Sequence, residues 1–174
     1  MIKVFGFLML TMVFSVTAFG QETTTIKVYF HNERFNPNQI DCTKVFPTIR
    51  TIPKTKAVAR AALDELFKGV TPEEEKNEFG SFPPENTRDI LKGLNVKGGV
   101  AYVNFNKSVY EKLGNTTSSC GSGFYSTIDA TLRQFPTITT VVYAIEGSTA
   151  DFYDWQQVGE CPYGKKRCSA SNFR

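Results

Sequence analysis

Phe124, Ile128, Leu132 and Phe135 recur along one face of a helix predicted over Gly121 to Phe135, and Pro136 forbids its continuation. A helix with one apolar stripe is marginal alone and must lie on another element. The rest of the chain supplies that element. Thr24 to Phe30 is near-alternating and β-branched, so it reads as a strand. Val45 to Ile52 reads as a second, with Pro47 assigning it to an edge. Ile90 to Val96 and Val100 to Phe105 flank Lys97-Gly98-Gly99, the pattern of a hairpin. On the second of these strands Ala101, Val103 and Phe105 share the expected core face, opposite Val100, Tyr102 and Asn104. Thr139 to Glu146 reads as the last strand.

A further helix is predicted over Thr55 to Lys68, with Val58, Ala61, Ala62 and Leu66 on its buried side and Gly69 as its stop. Thr71-Pro72-Glu73-Glu74 then opens a very short helix with a capping box. The acidic run Glu73-Glu74-Glu75 is read as helix-end electrostatics and not as a catalytic acid cluster. The order is β-β-α-β-β-α-β. It predicts an α/β (α+β) fold, a two-layer sandwich of a small mixed sheet and two main helices.

Residues 1–20 read as a signal peptide: Lys3, then the apolar run Val4 to Val16, then small residues up to Gly20. The run is shorter than the ~20 residues a membrane span needs. Residues 21–147 form the predicted domain, and 148–174 a cysteine-containing extension packed on it. Without residues 1–20 the chain keeps 19 basic and 17 acidic side chains. That near-neutral balance gives no basis for nucleic-acid binding. Export to the periplasm or the extracellular space is expected, with no stable membrane span after cleavage.

Four cysteines in an exported chain, Cys42, Cys120, Cys161 and Cys168, point to two structural disulfides. Three pairings are possible, and sequence does not choose among them. Local closure of the short Pro162–Arg167 loop is easy for Cys161–Cys168, which leaves Cys42–Cys120. No C-x₂₋₄-C spacing supports zinc, and the single histidine, His31, excludes a multi-histidine site. No metal or cofactor is expected.

Cys120-Gly121-Ser122-Gly123 resembles a nucleophile at a helix start, but the only histidine lies far upstream, so no catalytic residues are assigned. His31 is expected on the surface. Phosphate-loop and serine-hydrolase patterns are absent. Asn106-Lys107-Ser108 and Asn115-Thr116-Thr117 match the short glycosylation pattern. In the extension, Trp155 and Tyr153 could stack on a sugar, and Lys165, Lys166 and Arg167 could meet an anionic polymer. These five are the candidate binding residues.

Several segments together resemble the GerMN domain, a family named for a sporulation and spore-germination protein. They are Lys27-Val28-Tyr29-Phe30, Arg50, Ala61 to Gly69, Phe82-Pro83, Leu94 to Phe105, and Thr127 to Gly147 with Thr131-Leu132 and Phe135-Pro136. The resemblance spans about residues 25–147. It implies a fold similar to the ring-building motif of secretion machines, no enzymatic activity, and a role as a protein-binding or assembly module of the cell envelope. The implied partner is an envelope protein or a second copy. The alternative is a domain binding peptidoglycan, another glycan or a small ligand. The chain departs from the sporulation protein in having one domain copy, no lipobox, four cysteines and a tail.

Overall fold

The computed structural model describes residues 21–114 and 123–174. The signal-peptide segment 1–20, Cys120 and the Asn115 acceptor pattern lie outside the described residues. The expected mixed α/β architecture is present, with its strands divided between two three-stranded sheets. In the first, β1 (Thr23–Asn32) lies between β2 (Phe46–Pro53) and the short β3 (Phe79–Gly80), all antiparallel. In the second, β5 (Val100–Phe105) lies between β4 (Leu91–Lys97), antiparallel to it, and β6 (Thr140–Ile145), parallel to it. Pro47 is on an edge strand, as its missing N–H requires. Gly98 and Gly99 have φ of 58° and 80°, the left-handed pair a two-residue hairpin needs.

Between β2 and β3 lie α1 (Val58–Phe67) and α2 (Pro72–Lys76). The capping box is formed: Thr71 Oγ1 accepts from Glu74 N, and Glu74 accepts from Thr71 N. Then come α3 (Pro84–Thr87), α4 (Ser108–Leu113), α5 (Gly123–Arg133), α6 (Thr149–Trp155) and α7 (Gly164–Arg167). The stripe on α5 is seated as its period predicts, with Phe124, Ile128 and Leu132 buried against β1 and α1. Helix α1 buries Leu63 and Phe67 beside the expected Ala62 and Leu66, so its inward face is rotated from the predicted one.

Helix α5 also completes the first sheet. β2 covers only one edge of β1, and β3 pairs with no more than His31 and Asn32. On the remaining edge, Tyr29 N–H donates to Thr131 Oγ1 (3.1 Å) and Lys27 N–H to Gln134 Oε1 (2.7 Å). Gln134 Nε2 donates back to the Lys27 carbonyl (2.6 Å). Side chains from α5 and from the turn that follows it thus replace a missing strand and remove an open edge. Those two bonds fix which β1 amides face away from β2, so in the antiparallel register the outward β2 positions are 47, 49, 51 and 53. Two of the four are prolines, which deprives a fourth strand of donors. Thr131 is fully buried. Thr131→Val keeps the shape but leaves the Tyr29 N–H unpaired, and costs about 1–3 kcal/mol in urea unfolding. Amide exchange at Tyr29 accelerates in the variant; unchanged protection there would refute the edge-cover role.

His31, expected on the surface, is only 8% exposed. It lies near the end of β1, between the buried Phe30 and Asn32, beneath the start of α5. A Cβ on Gly123 would come within 2.9 Å of the His31 ring and of the Cys42 carbonyl oxygen. A glycine is therefore required where helix and strand meet. Burial holds the His31 pKa below its ordinary value, opposed by the backbone at Lys44 and Gly123.

Strand β5 is buried on both faces, not one. Ala101, Val103 and Phe105 join the main core. Val100 and Tyr102 form a second cluster with Val142, Ala144 and Phe173 from the chain's tail. A central strand with a parallel neighbour is covered on both sides, and its sequence is nearly continuous in apolar residues.

Candidate functional site

The extension is largely folded onto the domain. Ser148 caps α6 by accepting from Asp151 N. Tyr153 is 6% exposed and lies within the main core, so its ring offers no face to a ligand. Trp155 is half-buried, edge-on to Tyr110 (centroids 5.4 Å apart) and to Phe152 (6.3 Å). These aromatics hold α6 on the domain. Lys165, Lys166 and Arg167 are exposed on α7. Cys161 and Cys168 are joined in a disulfide, with Cα atoms 6.1 Å apart. It closes a loop within the extension and does not itself bind the extension to the domain. The Cys42–Cys120 pairing involves a residue outside the described set.

Asp129 is a partly buried carboxylate between α5 and β6. Tyr143 Oη donates to its Oδ1, and Arg133 lies 3.9 Å from its Oδ2. Burial raises the Asp129 pKa, against the Tyr143 hydrogen bond and the Arg133 charge. Burial, followed by the Asp129 charge, raises that of Tyr143 well above its ordinary value. The pair ties α5 to β6 across the core, with no second carboxylate given to it by any described hydrogen bond. Among the described residues no group of three or more His, Cys, Asp or Glu side chains is placed to hold a metal. Asn106, in the first glycosylation pattern, spends its side chain locally: Nδ2 donates to the Asp89 carbonyl and Oδ1 accepts from Ser108 N.

One apolar groove is built from residues that sequence reasoning did not bring together. A groove of about 320 Å³ runs between the start of α1, strand β4 and the turn from α5 to β6. Val58, Leu94, Val96, Phe135 and Ile138 line it, with Lys56 and Arg60 beside them. Val96 is 42% exposed, although it lies on a strand. Phe135, the last residue of the predicted stripe, turns toward this groove from beyond the end of α5. Only the proximity of three segments far apart in sequence reveals the surface.

A family profile described as Germane, sporulation and spore germination, matches residues 27–151. The tandem GerMN domains of the sporulation protein GerM from Bacillus subtilis align with 20% identity and a TM-score of 0.47. That alignment covers 72% of this chain and 40% of the tandem structure, so this chain spans less than half of that relative. The first GerMN domain of the same protein gives 18% identity and a TM-score of 0.42, over 71% of this chain and 84% of that one. A candidate lipoprotein of Clostridium perfringens gives 16% and 0.41, over 77% and 80%. Comparison with curated proteins gives no match.

Proposed function

This chain belongs to the Germane family of sporulation and spore germination domains, and from that premise we infer that it is an exported, non-enzymatic module that binds a protein partner, or itself, at the cell envelope. The family match across residues 27–151 carries the reading. The apolar groove beside Val96 supports it, since a docking module needs an exposed apolar surface with a polar surround. Export rests on the character of residues 1–20 and on the disulfide at Cys161–Cys168, which an oxidising compartment preserves. Among the described residues no helix is long and apolar enough to cross a membrane.

The test is crosslinking of the tagged full chain in its native envelope, beside a Val96→Glu variant. Val96 is half-exposed, so the variant folds, with its unfolding midpoint unchanged. The expected result is a discrete crosslinked protein, or a crosslinked dimer, that the variant loses by at least about tenfold. Equal capture by both proteins would remove the groove from the mechanism. A strict monomer that retrieves nothing would overturn the assembly reading.

A further inference from the structure

The back of the β4–β5–β6 sheet has the construction of a peptide-binding site, and the chain's own tail fills it. Val100, Tyr102, Val142 and Ala144 are all buried there, with Phe173 seated over them. The Phe173 ring meets Tyr102 edge-on, with centroids 5.4 Å apart at 81°. Two asparagines of the sheet read the tail's main chain. Asn95 Nδ2 donates to the Asn172 carbonyl (2.9 Å), and the buried Asn104 Nδ2 to that of Phe173 (3.5 Å). Asn104 Oδ1 accepts from Gly147 N (2.9 Å), which fixes the orientation of its amide. Main-chain contacts supply attachment, and the pocket for one aromatic ring supplies selectivity.

The tail that carries Phe173 is folded on itself. The Cys161–Cys168 disulfide closes its loop, and Asn172 Nδ2 donates to the carbonyls of Lys166 (2.9 Å) and Arg167 (3.1 Å). Residues 161–173 are thus an arm with its own recognition element. Its link to α6 is short and exposed. Val158 is 63% exposed, and Gln157 and Gly159 have φ of 54° and 78°. Two backbone bonds of the link, Gln157 N to Asp154 O and Val158 N to Tyr153 O, run back to α6. Beyond the Phe173 seat, Thr149 Oγ1 donates to the Cys168 carbonyl, and the half-buried Cys161 packs at the edge of both apolar clusters.

We propose that this arm is an exchangeable docking element: Phe173 of one copy seats on the back of the β4–β5–β6 sheet of a second copy of this chain. The seat and the arm are complementary by construction, so every contact made within one chain recurs between two. Reciprocal exchange closes a two-fold dimer, and one-way exchange leaves a free seat and a free arm for further copies. The inference deepens the assembly reading and rests on it for its biological sense.

Two full-length variants test it by complementation. Phe173→Ala has a vacant seat and no usable arm, whereas Tyr102→Ala has an arm and a damaged seat. Each alone stays monomeric. Mixed at around 0.1 mM, within about tenfold of the effective concentration that a short tether gives, they form a heterodimer containing one of each mass in native mass spectrometry. A mixture that stays monomeric, with both variants folded by circular dichroism, overturns the proposal. If Tyr102→Ala does not fold, a disulfide-closed synthetic peptide of residues 161–174 is titrated into the Phe173→Ala protein. Saturable binding, weakened about tenfold or more by alanine in place of the peptide's phenylalanine, supports the exchange. Absent or phenylalanine-independent binding overturns it. Envelope crosslinking that captures nothing beside a heterodimer in the mixture sinks the functional reading alone. A captured partner beside a monomeric mixture sinks arm exchange alone.

Discussion

Arg50→Ala lowers the free energy of unfolding by about 3–5 kcal/mol, the range for removing one partner of a buried, hydrogen-bonded ion pair. The Arg50 side chain is 10% exposed and that of Glu74 11%. Its guanidinium forks onto Glu74, Nε to Oε1 at 3.2 Å and Nη2 to Oε2 at 2.6 Å. The same group donates to the Glu65 and Gly69 carbonyls, both at 2.7 Å, where α1 ends. One side chain on β2 therefore joins α1 and α2 to the sheet. It also lies over the Phe30 ring, 5.4 Å from its centroid. Removing it strands a carboxylate and two helix-end carbonyls together. Arg50→Lys keeps the charge without the planar fork and recovers only part of the loss.

The same cluster fixes a pH dependence. Burial alone would raise the Glu74 pKa, but hydrogen bonds from Arg50, Thr48 and Thr71 outweigh it and hold the carboxyl below its ordinary 4.5. A carboxyl depressed in the folded state contributes stability above about pH 4.5, and that contribution is lost as pH falls through the folded value. Glu74→Gln, less stable near neutrality, therefore loses less on acidification below that pH than the wild type does. Parallel acid limbs in urea titrations of the two proteins would contradict this account.

What could be read in advance follows the range of the interaction. The capping box at Thr71 and Glu74 is local, spanning three residues, and its signature was complete in the sequence. The Gly98-Gly99 turn and the α5 stripe are equally local. Arg50, by contrast, is a lone basic residue in a strand pattern, and its partners are 15 to 24 residues away. The second role of Glu74 was invisible for the same reason. Helix α6 had a start signal in Ser148 and Asp151, but seven residues are too few for a period to emerge. The buried back of β5 was masked by Asn104, whose polarity marked that face as solvent-exposed. Only the tail, 69 residues further on, makes that asparagine a buried ligand for a main-chain carbonyl. His31 fails in the same way: the segment that approaches its ring begins at Gly123, 92 positions downstream, which no local pattern announces.

Phe124→Ala costs about 3–5 kcal/mol and broadens the unfolding transition's onset at both sheets together. Phe124 is 2% exposed at the start of α5. Its ring lies 5.9 Å from that of Phe67 on α1, 5.1 Å from Phe82, 6.4 Å from Phe105 on β5 and 5.4 Å from Tyr125. Phe105 in turn stacks with Tyr143 on β6 and Phe152 on α6. Phe124 is thus where the aromatic chain of the second sheet meets the helix packed on the first. Among the described residues the two sheets share no strand pairing, so side-chain packing of this kind couples them. Removing the ring deletes contacts on both sides and leaves a cavity that α5, anchored to the β1 edge through Thr131 and Gln134, cannot close. Phe35→Ala, at a residue 58% exposed, is the control and shifts the midpoint little. Native-state amide exchange separates this account from a simple loss of volume. Protection in β1 and in β5 falls by the same factor if Phe124 couples the sheets, whereas loss confined to one sheet would show that they are held together elsewhere.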